Sequence, residues 1–251
     1  MKKLTVSVCL LLSLITCCAG HKEPRPLEYP AGESGEVLIT YEGFAVSYCE
    51  EWRIPRWVAY ELMAEETDGV ASKSGKGFRQ DWRVKALQAN HYDYRGSGWS
   101  RGHMAPAADF KWSDKALDDT FFYTNCCPQN SRLNNGPWNI LENKVRAWAK
   151  HFGQIWVVTG PVVSNREHGT LGATEVVIPD AFFKALLVRD GETWSAIGFV
   201  MSNDDAPHPL PSSCCTVDDL EALTGLDFFS SLPNRTERAV ESAVDLRFWG
   251  L

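Results

Sequence analysis

Two short stretches of this chain carry side chains whose types and spacing suit acid–base and cation chemistry better than packing. The first is Ser100-Arg101-Gly102-His103-Met104-Ala105-Pro106, which sets a permanent cation two residues from a ring able to accept a proton near neutral pH. Gly102 is expected to take a backbone conformation that other residues resist, and Pro106 to limit the exit path, so that Arg101 and His103 are held rigidly. A single histidine in a strand is more often a satisfied structural residue, so this stretch needs a companion. The second stretch, Thr124 to Glu142, is dense in carboxamides. Asn134 near a helix start could be a cap. Glu142, however, lies eight residues on, a little over two helical turns, and is expected to project near the same face. A neutral oxygen ligand with a carboxylate behind it suits a magnesium ion that keeps most of its waters.

Elements able to position these groups are legible on both sides. Val37–Tyr41 and Phe44–Tyr48 read as strands joined by the Glu42-Gly43 turn, with Trp57–Leu62 as a third. Ile155–Gly160, Ala181–Val188 and Trp194–Met201 are strand-like runs rich in β-branched and aromatic residues. Pro137 to His151 is the clearest helix, since Trp138, Leu141, Val145 and Trp148 recur at helical spacing behind a proline in the first turn. Val217–Thr224 and Arg238–Val244 are shorter candidates, and Thr67 to Gly98 is irregular. No internal repeat or low-complexity tract interrupts the chain. The fold class expected is α+β, with a mostly antiparallel central sheet flanked by helices.

The chain has 251 residues and a net charge of −7. Lys2 and Lys3 precede an apolar run from Leu4 to Ile15, shaped like the hydrophobic region of a secretion signal and too short to span a bilayer. Cys17 and Cys18 follow where a lipidated N-terminal cysteine would be left, so the expected division is a lipoprotein-type signal at 1–18, a tether at 19–35 and a domain at 36–251. Export is expected, as an outer-membrane or periplasmic lipoprotein touching membrane only through that anchor, or as a secreted protein. Losing Lys2 and Lys3 takes the charge to −9, which argues against a broad basic surface and for a local cleft. Beyond the signal and Cys18, five cysteines remain, enough for one or two disulfides in an oxidising compartment. Their spacing disfavours structural zinc.

Taken in order, the motifs resemble the DNA/RNA non-specific endonucleases, the family that includes mitochondrial endonuclease G. The resemblance runs from about Arg79 through Arg101-Gly102-His103, Asn125-x-x-Pro128-Gln129, Leu133-Asn134-x-x-x-Trp138-x-x-Leu141-Glu142 and Thr159-Gly160-Pro161. It continues in Ile178-Pro179-x-x-Phe182-Phe183-Lys184 and in Leu220-Glu221-x-Leu223-Thr224-Gly225-Leu226-Asp227-Phe228-Phe229. It implies a ββα-metal, or His-Me finger, fold, in which a strand carries the histidine and a following helix the metal ligand. Carried over by position, His103 is the general base and Asn134 the protein ligand of Mg2+, Mn2+ or another divalent cation. Glu142 is an acceptor that orients water, Arg101 and Arg79 are phosphate contacts, and Asn125 braces the site. DNA and RNA are then the substrates, cleaved without base preference to 5′-phosphate products. Ser100 stands where the family's motif usually has Asp. Two rival readings are a silent nuclease-like domain, which would lack the base or the ligand, and a redox protein built on Cys126-Cys127 and Cys214-Cys215.

Overall fold

The computed structural model describes residues 26–31 and 37–251. The expected signal at 1–18 and most of the expected tether lie outside the described residues. Pro26–Ala31, within that tether, packs on the domain. Ala31 and Asp227 exchange backbone hydrogen bonds of 2.7 and 3.4 Å, Tyr29 lies against Trp57, and Leu27 adds apolar surface to the same core. The packed domain therefore includes residues before Glu36.

In chain order the strands are β1 (Val37–Thr40), β2 (Ala45–Cys49), β3 (Ile54–Met63), β4 (Ser100–His103), β5 (Cys126–Gln129) and β6 (Gln154–Val162). They continue with β7 (Thr170–Leu171), β8 (Val176–Val177), β9 (Ala181–Asp190), β10 (Thr193–Ser202) and β11 (Cys214–Cys215). The helices are α1 (His91–Tyr94), α2 (Asp114–Asp119), α3 (Ser131–Asn135), α4 (Pro137–Phe152), α5 (Leu210–Ser213), α6 (Val217–Thr224) and α7 (Asn234–Glu241). The last begins four residues earlier than the expected 238–244, because its first turn follows directly on Pro233.

Seven strands make one sheet in the order β1-β2-β3-β6-β9-β10-β11, and every neighbouring pair is antiparallel. Its two faces bury different clusters, which is why β6 and β9 read as nearly unbroken apolar runs rather than as alternating ones. On one face Trp138, Leu141, Val145 and Trp148 of α4 pack over Tyr60, Val157, Phe182 and Leu186. On the other, Val217 and Leu220 of α6 and Val240 of α7 cover Val158, Phe183 and Leu187. Helix α4 ends at Gly153, whose φ of +85° is the left-handed stop that glycine adopts without steric cost.

The smaller pair β4–β5 stands apart from the large sheet and leads into α3, forming a ββα unit with α2 in its long connection. The disulfides allowed for in the sequence are not formed: Cys49, Cys126, Cys127, Cys214 and Cys215 are free thiols. Cys126 and Cys127 are packing residues buried in the main core, and burial pushes the Cys126 thiol up to about 12. Such a thiol stays protonated and inert, which removes the physical basis of the redox reading for this pair.

Candidate active site

Strand periodicity places Arg101 and His103 on one face of β4, with Arg101 opposite Pro128 and His103 opposite Cys126. Gly102, between them, opposes Cys127, and its reason differs from the one expected. Its φ lies outside the left-handed region; what it supplies is space, because a Cβ there would sit 2.2 Å from Oε1 of Gln129. Just past His103 the chain is clamped by Asn125, which is fully buried. The Ala105 amide donates to Asn125 Oδ1 at 2.8 Å, and Nδ2 donates to the Ala105 and Thr120 carbonyls at 3.0 Å each. Asn125 thus touches backbone alone and fixes the path of the chain that carries His103.

The His103 ring packs against Phe78 and Phe121, with centroid separations of 4.6 and 5.0 Å. Its Nε2 is sealed from solvent without a hydrogen-bond partner among the described residues, although the residue as a whole stays partly exposed. Burial, and then the positive charge of Lys73, lower its pKa to about 3, so the ring is neutral at ordinary pH and able to accept a proton. Arg101 lies over the Tyr94 ring at 5.1 Å and donates to the His91 carbonyl at 3.2 Å. Arg79 is half-exposed, stacked 4.0 Å from the Phe122 ring, and ion-paired to Asp118 at 2.6 Å. Its backbone flanks the aromatic wall of the site, but its charge already has a partner. Ser100 uses its hydroxyl on Ser131 at 2.8 Å, tying the start of β4 to the start of α3.

Asn134 lies on α3 rather than on the long helix, and Gly136, with φ and ψ both −111°, breaks the helix between them. One continuous helix therefore does not carry Asn134 and Glu142, so their spacing of eight residues is not what relates them. Capping of α3 falls to Asn130, whose Oδ1 accepts from the amides of Arg132 and Leu133, and Asn135 bonds back to Ser131. The Asn134 carboxamide makes no hydrogen bond among the described residues, which leaves its oxygen available to a cation. Glu142, on α4, has its pKa raised by burial, against which the neighbouring Lys184 pulls it down.

A family model described as DNA/RNA non-specific endonuclease matches residues 26–235, which takes in every element of this site. The chain belongs to that family. Relatives include a protein named "Nuclease EXOG, mitochondrial" from Xenopus laevis, 38% identical over 84% of this chain, and human "Endonuclease G, mitochondrial", 34% identical over 80% of it. This chain covers 63% of the Xenopus relative's length and 71% of the human one's. A solved structure titled as the EndoG/EndoGI complex superposes with a TM-score of 0.77 at 26% identity, covering 84% of this chain and 91% of that one. The fold is accordingly the α+β, ββα-metal arrangement.

In this family member the polar groups behind the site went unassigned in the sequence. Lys184 is wholly buried on β9, its Nζ 4.7 Å from the Trp138 ring and without a hydrogen-bond acceptor among the described residues. Burial pushes its pKa down while the neighbouring Glu142 and Asp109 carboxylates pull it up. Asp109, also fully buried, accepts from Tyr60 at 2.8 Å and from Arg146 at 2.5 Å. A lysine inside the apolar run Phe182-Phe183-Lys184-Ala185-Leu186 was the available signal, since a buried lysine requires an anionic partner. Buried unpartnered polar atoms recur around this site, at Arg101 Nε, His103 Nε2, the Gln129 amide and Lys184 Nζ. Each costs roughly 1–3 kcal/mol unless a further group satisfies it.

Proposed function

We propose that the chain is a divalent-metal-dependent endonuclease that hydrolyses phosphodiester bonds of DNA and RNA to 5′-phosphate products without reading bases. One observation carries the reading: a histidine held neutral by burial shares a strand face with an arginine, and the strand's start is tied through Ser100 and Ser131 to α3, which carries an asparagine whose carboxamide is unengaged. His103 accepts the proton of the attacking water, a role that typically contributes about a hundred- to ten-thousand-fold. Arg101 sets positive charge where negative charge grows on the phosphate. Asn134 holds the cation, with Mg2+ the expected ion and Mn2+ an alternative, and Glu142 orients water beside it. The donor set fits: a neutral oxygen with a carboxylate nearby suits a hard cation that keeps its waters. When bound, the cation supplies charge stabilisation to the phosphate and the leaving oxygen. Arg79 contacts phosphate by exchanging Asp118 for it, and Asn125 positions His103 through the backbone.

Nothing among these groups is placed to read a base edge, which supports weak sequence discrimination and tolerance of either sugar. The presence of His103, Asn134 and Glu142 together supports an active domain over a silent nuclease-like one. Lys2, Lys3 and the apolar run after them support export, by lipid anchor or by secretion. Plasmid and RNA incubated with the purified protein should both be cut with magnesium and neither with EDTA. Asn134→Ala should lower cleavage by orders of magnitude with an unchanged circular dichroism spectrum. Cleavage that persists in EDTA, or in the Asn134→Ala variant, would overturn the reading.

A further inference from the structure

On the face of the sheet away from α4, helices α6 and α7 bring three carboxylates together. Asp218, Glu221 and Glu241 offer oxygens that all lie within 4.8 Å of one another. Oxygens bound to one calcium ion at about 2.4 Å can be no more than about 4.8 Å apart, so the three carboxylates are close enough to reach a single ion. A second observation concerns burial. Glu241 is only 4% exposed, and its Oε1 is sealed from solvent with no hydrogen-bond partner among the described residues. Glu221 uses its Oε1 to accept from the Phe228 amide at 2.8 Å, and Asp218 is exposed, so one side of the cluster is open to solvent.

The surrounding charges deepen the problem. Glu237 and Asp227 add to the negative field on Glu241, and Arg238, on the same helix, acts on Glu237. Burial, and then Glu221, push the Glu241 pKa up to about 8. A buried carboxylate among carboxylates, with no donor and no cation on its free oxygen, has two physical outcomes: it keeps a proton, or a cation binds. The oxygens are hard, anionic and spread over two helices. Calcium takes about six to eight such ligands in loose geometry, whereas magnesium demands near-ideal octahedra and dehydrates reluctantly.

We propose that Asp218, Glu221 and Glu241 bind one calcium ion that clamps α6 to α7, at a site separate from the nuclease groups and independent of the reading given for them. The test uses the full chain carrying Asn134→Ala, which removes the ligand given to the nuclease cation, stripped of metal, titrated with calcium and with magnesium by calorimetry, and melted with and without each ion. One calcium ion should bind per chain, with a Kd on the order of 0.1–1 mM, and should raise the melting temperature by mass action. Glu241→Gln, which keeps the volume, should weaken calcium binding roughly tenfold or more, at least the loss typical of supporting residues at metal sites. Asp218→Asn, at an exposed position, should weaken it as well. Restoring Asn134 should leave the affinity of this site unchanged. No calcium binding, equal binding by magnesium, or unaltered affinity in both acidic variants would overturn the proposal and leave Glu241 as a protonated acid.

Discussion

The proposed role of His103 as a base requires it to be neutral, and the adjacent Arg101 is not what secures that state. Burial against Phe78 and Phe121 comes first instead, and Lys73, on a loop the sequence left irregular, comes second. Because the folded pKa is lowered, the neutral ring persists as pH falls through the ordinary histidine value of about 6.5. An NMR titration of the His103 ring should therefore show it unprotonated at pH 5, and Lys73→Gln should move its midpoint upward. A His103 midpoint near 6.5 would contradict the packing argument. His103→Ala should reduce cleavage by roughly a hundred- to ten-thousand-fold while nucleic acid still binds. Near-normal turnover by a folded variant would transfer the role to another group, His91 beside Arg101 being the first to examine.

At the scale of elements, the site depends on how α3 is anchored, since α3 carries Asn134 on five residues and is too short to hold itself in place. Asn203, at the end of β10, provides an anchor from across the domain. It is buried, accepts from the Asn130 amide at 2.7 Å, and donates to the Pro128 and Pro179 carbonyls at 3.1 and 2.9 Å. One side chain thus joins β5, the α3 cap and the entry to β9. Asn203→Ala strands two buried backbone carbonyls and one part-buried amide, so the unfolding free energy should fall by about 2–4 kcal/mol. Denaturant unfolding measures this, and a loss under about 1 kcal/mol would show that the three bonds are not the anchor. Ser100 contributes a second, weaker tie through Ser131. A hydroxyl at this position therefore retains a structural link without supplying charge.

At the scale of the whole molecule, a net charge of −7 means that nucleic acid must be met by a few cations in a cleft rather than by a broad basic field. Arg101, Lys73 and Arg79 lie around the site, and Arg79 is already shared with Asp118. Binding through so few phosphate contacts on an acidic protein is readily displaced by counterions. Cleavage should fall as salt rises, but with the shallow slope that so few phosphate contacts give, and base composition should have little effect. Product sequencing from random substrates checks the second half. A single defined cleavage sequence, or refusal of RNA, would rule out recognition through phosphate alone.

Periodicity and turn chemistry are local properties, and they made most of the framework legible from the chain alone. The amphipathic spacing of Trp138, Leu141, Val145 and Trp148 and the apolar runs of β6, β9 and β10 each state which face must be buried. The motif order that marks the family was legible in the same way. What the tertiary structure alone decided were relations between residues far apart in sequence. Gly102 is required by the approach of Gln129 rather than by its own backbone angles. Asn134 and Glu142 belong to separate helices, because a break at Gly136 cannot be seen in a pattern that continues across it. The partners of Lys184, the anchor at Asn203 and the acidic cluster of α6 and α7 depend on which strands and helices become neighbours. Burial sets the protonation of His103 and Glu241, and burial exists only once the chain has packed.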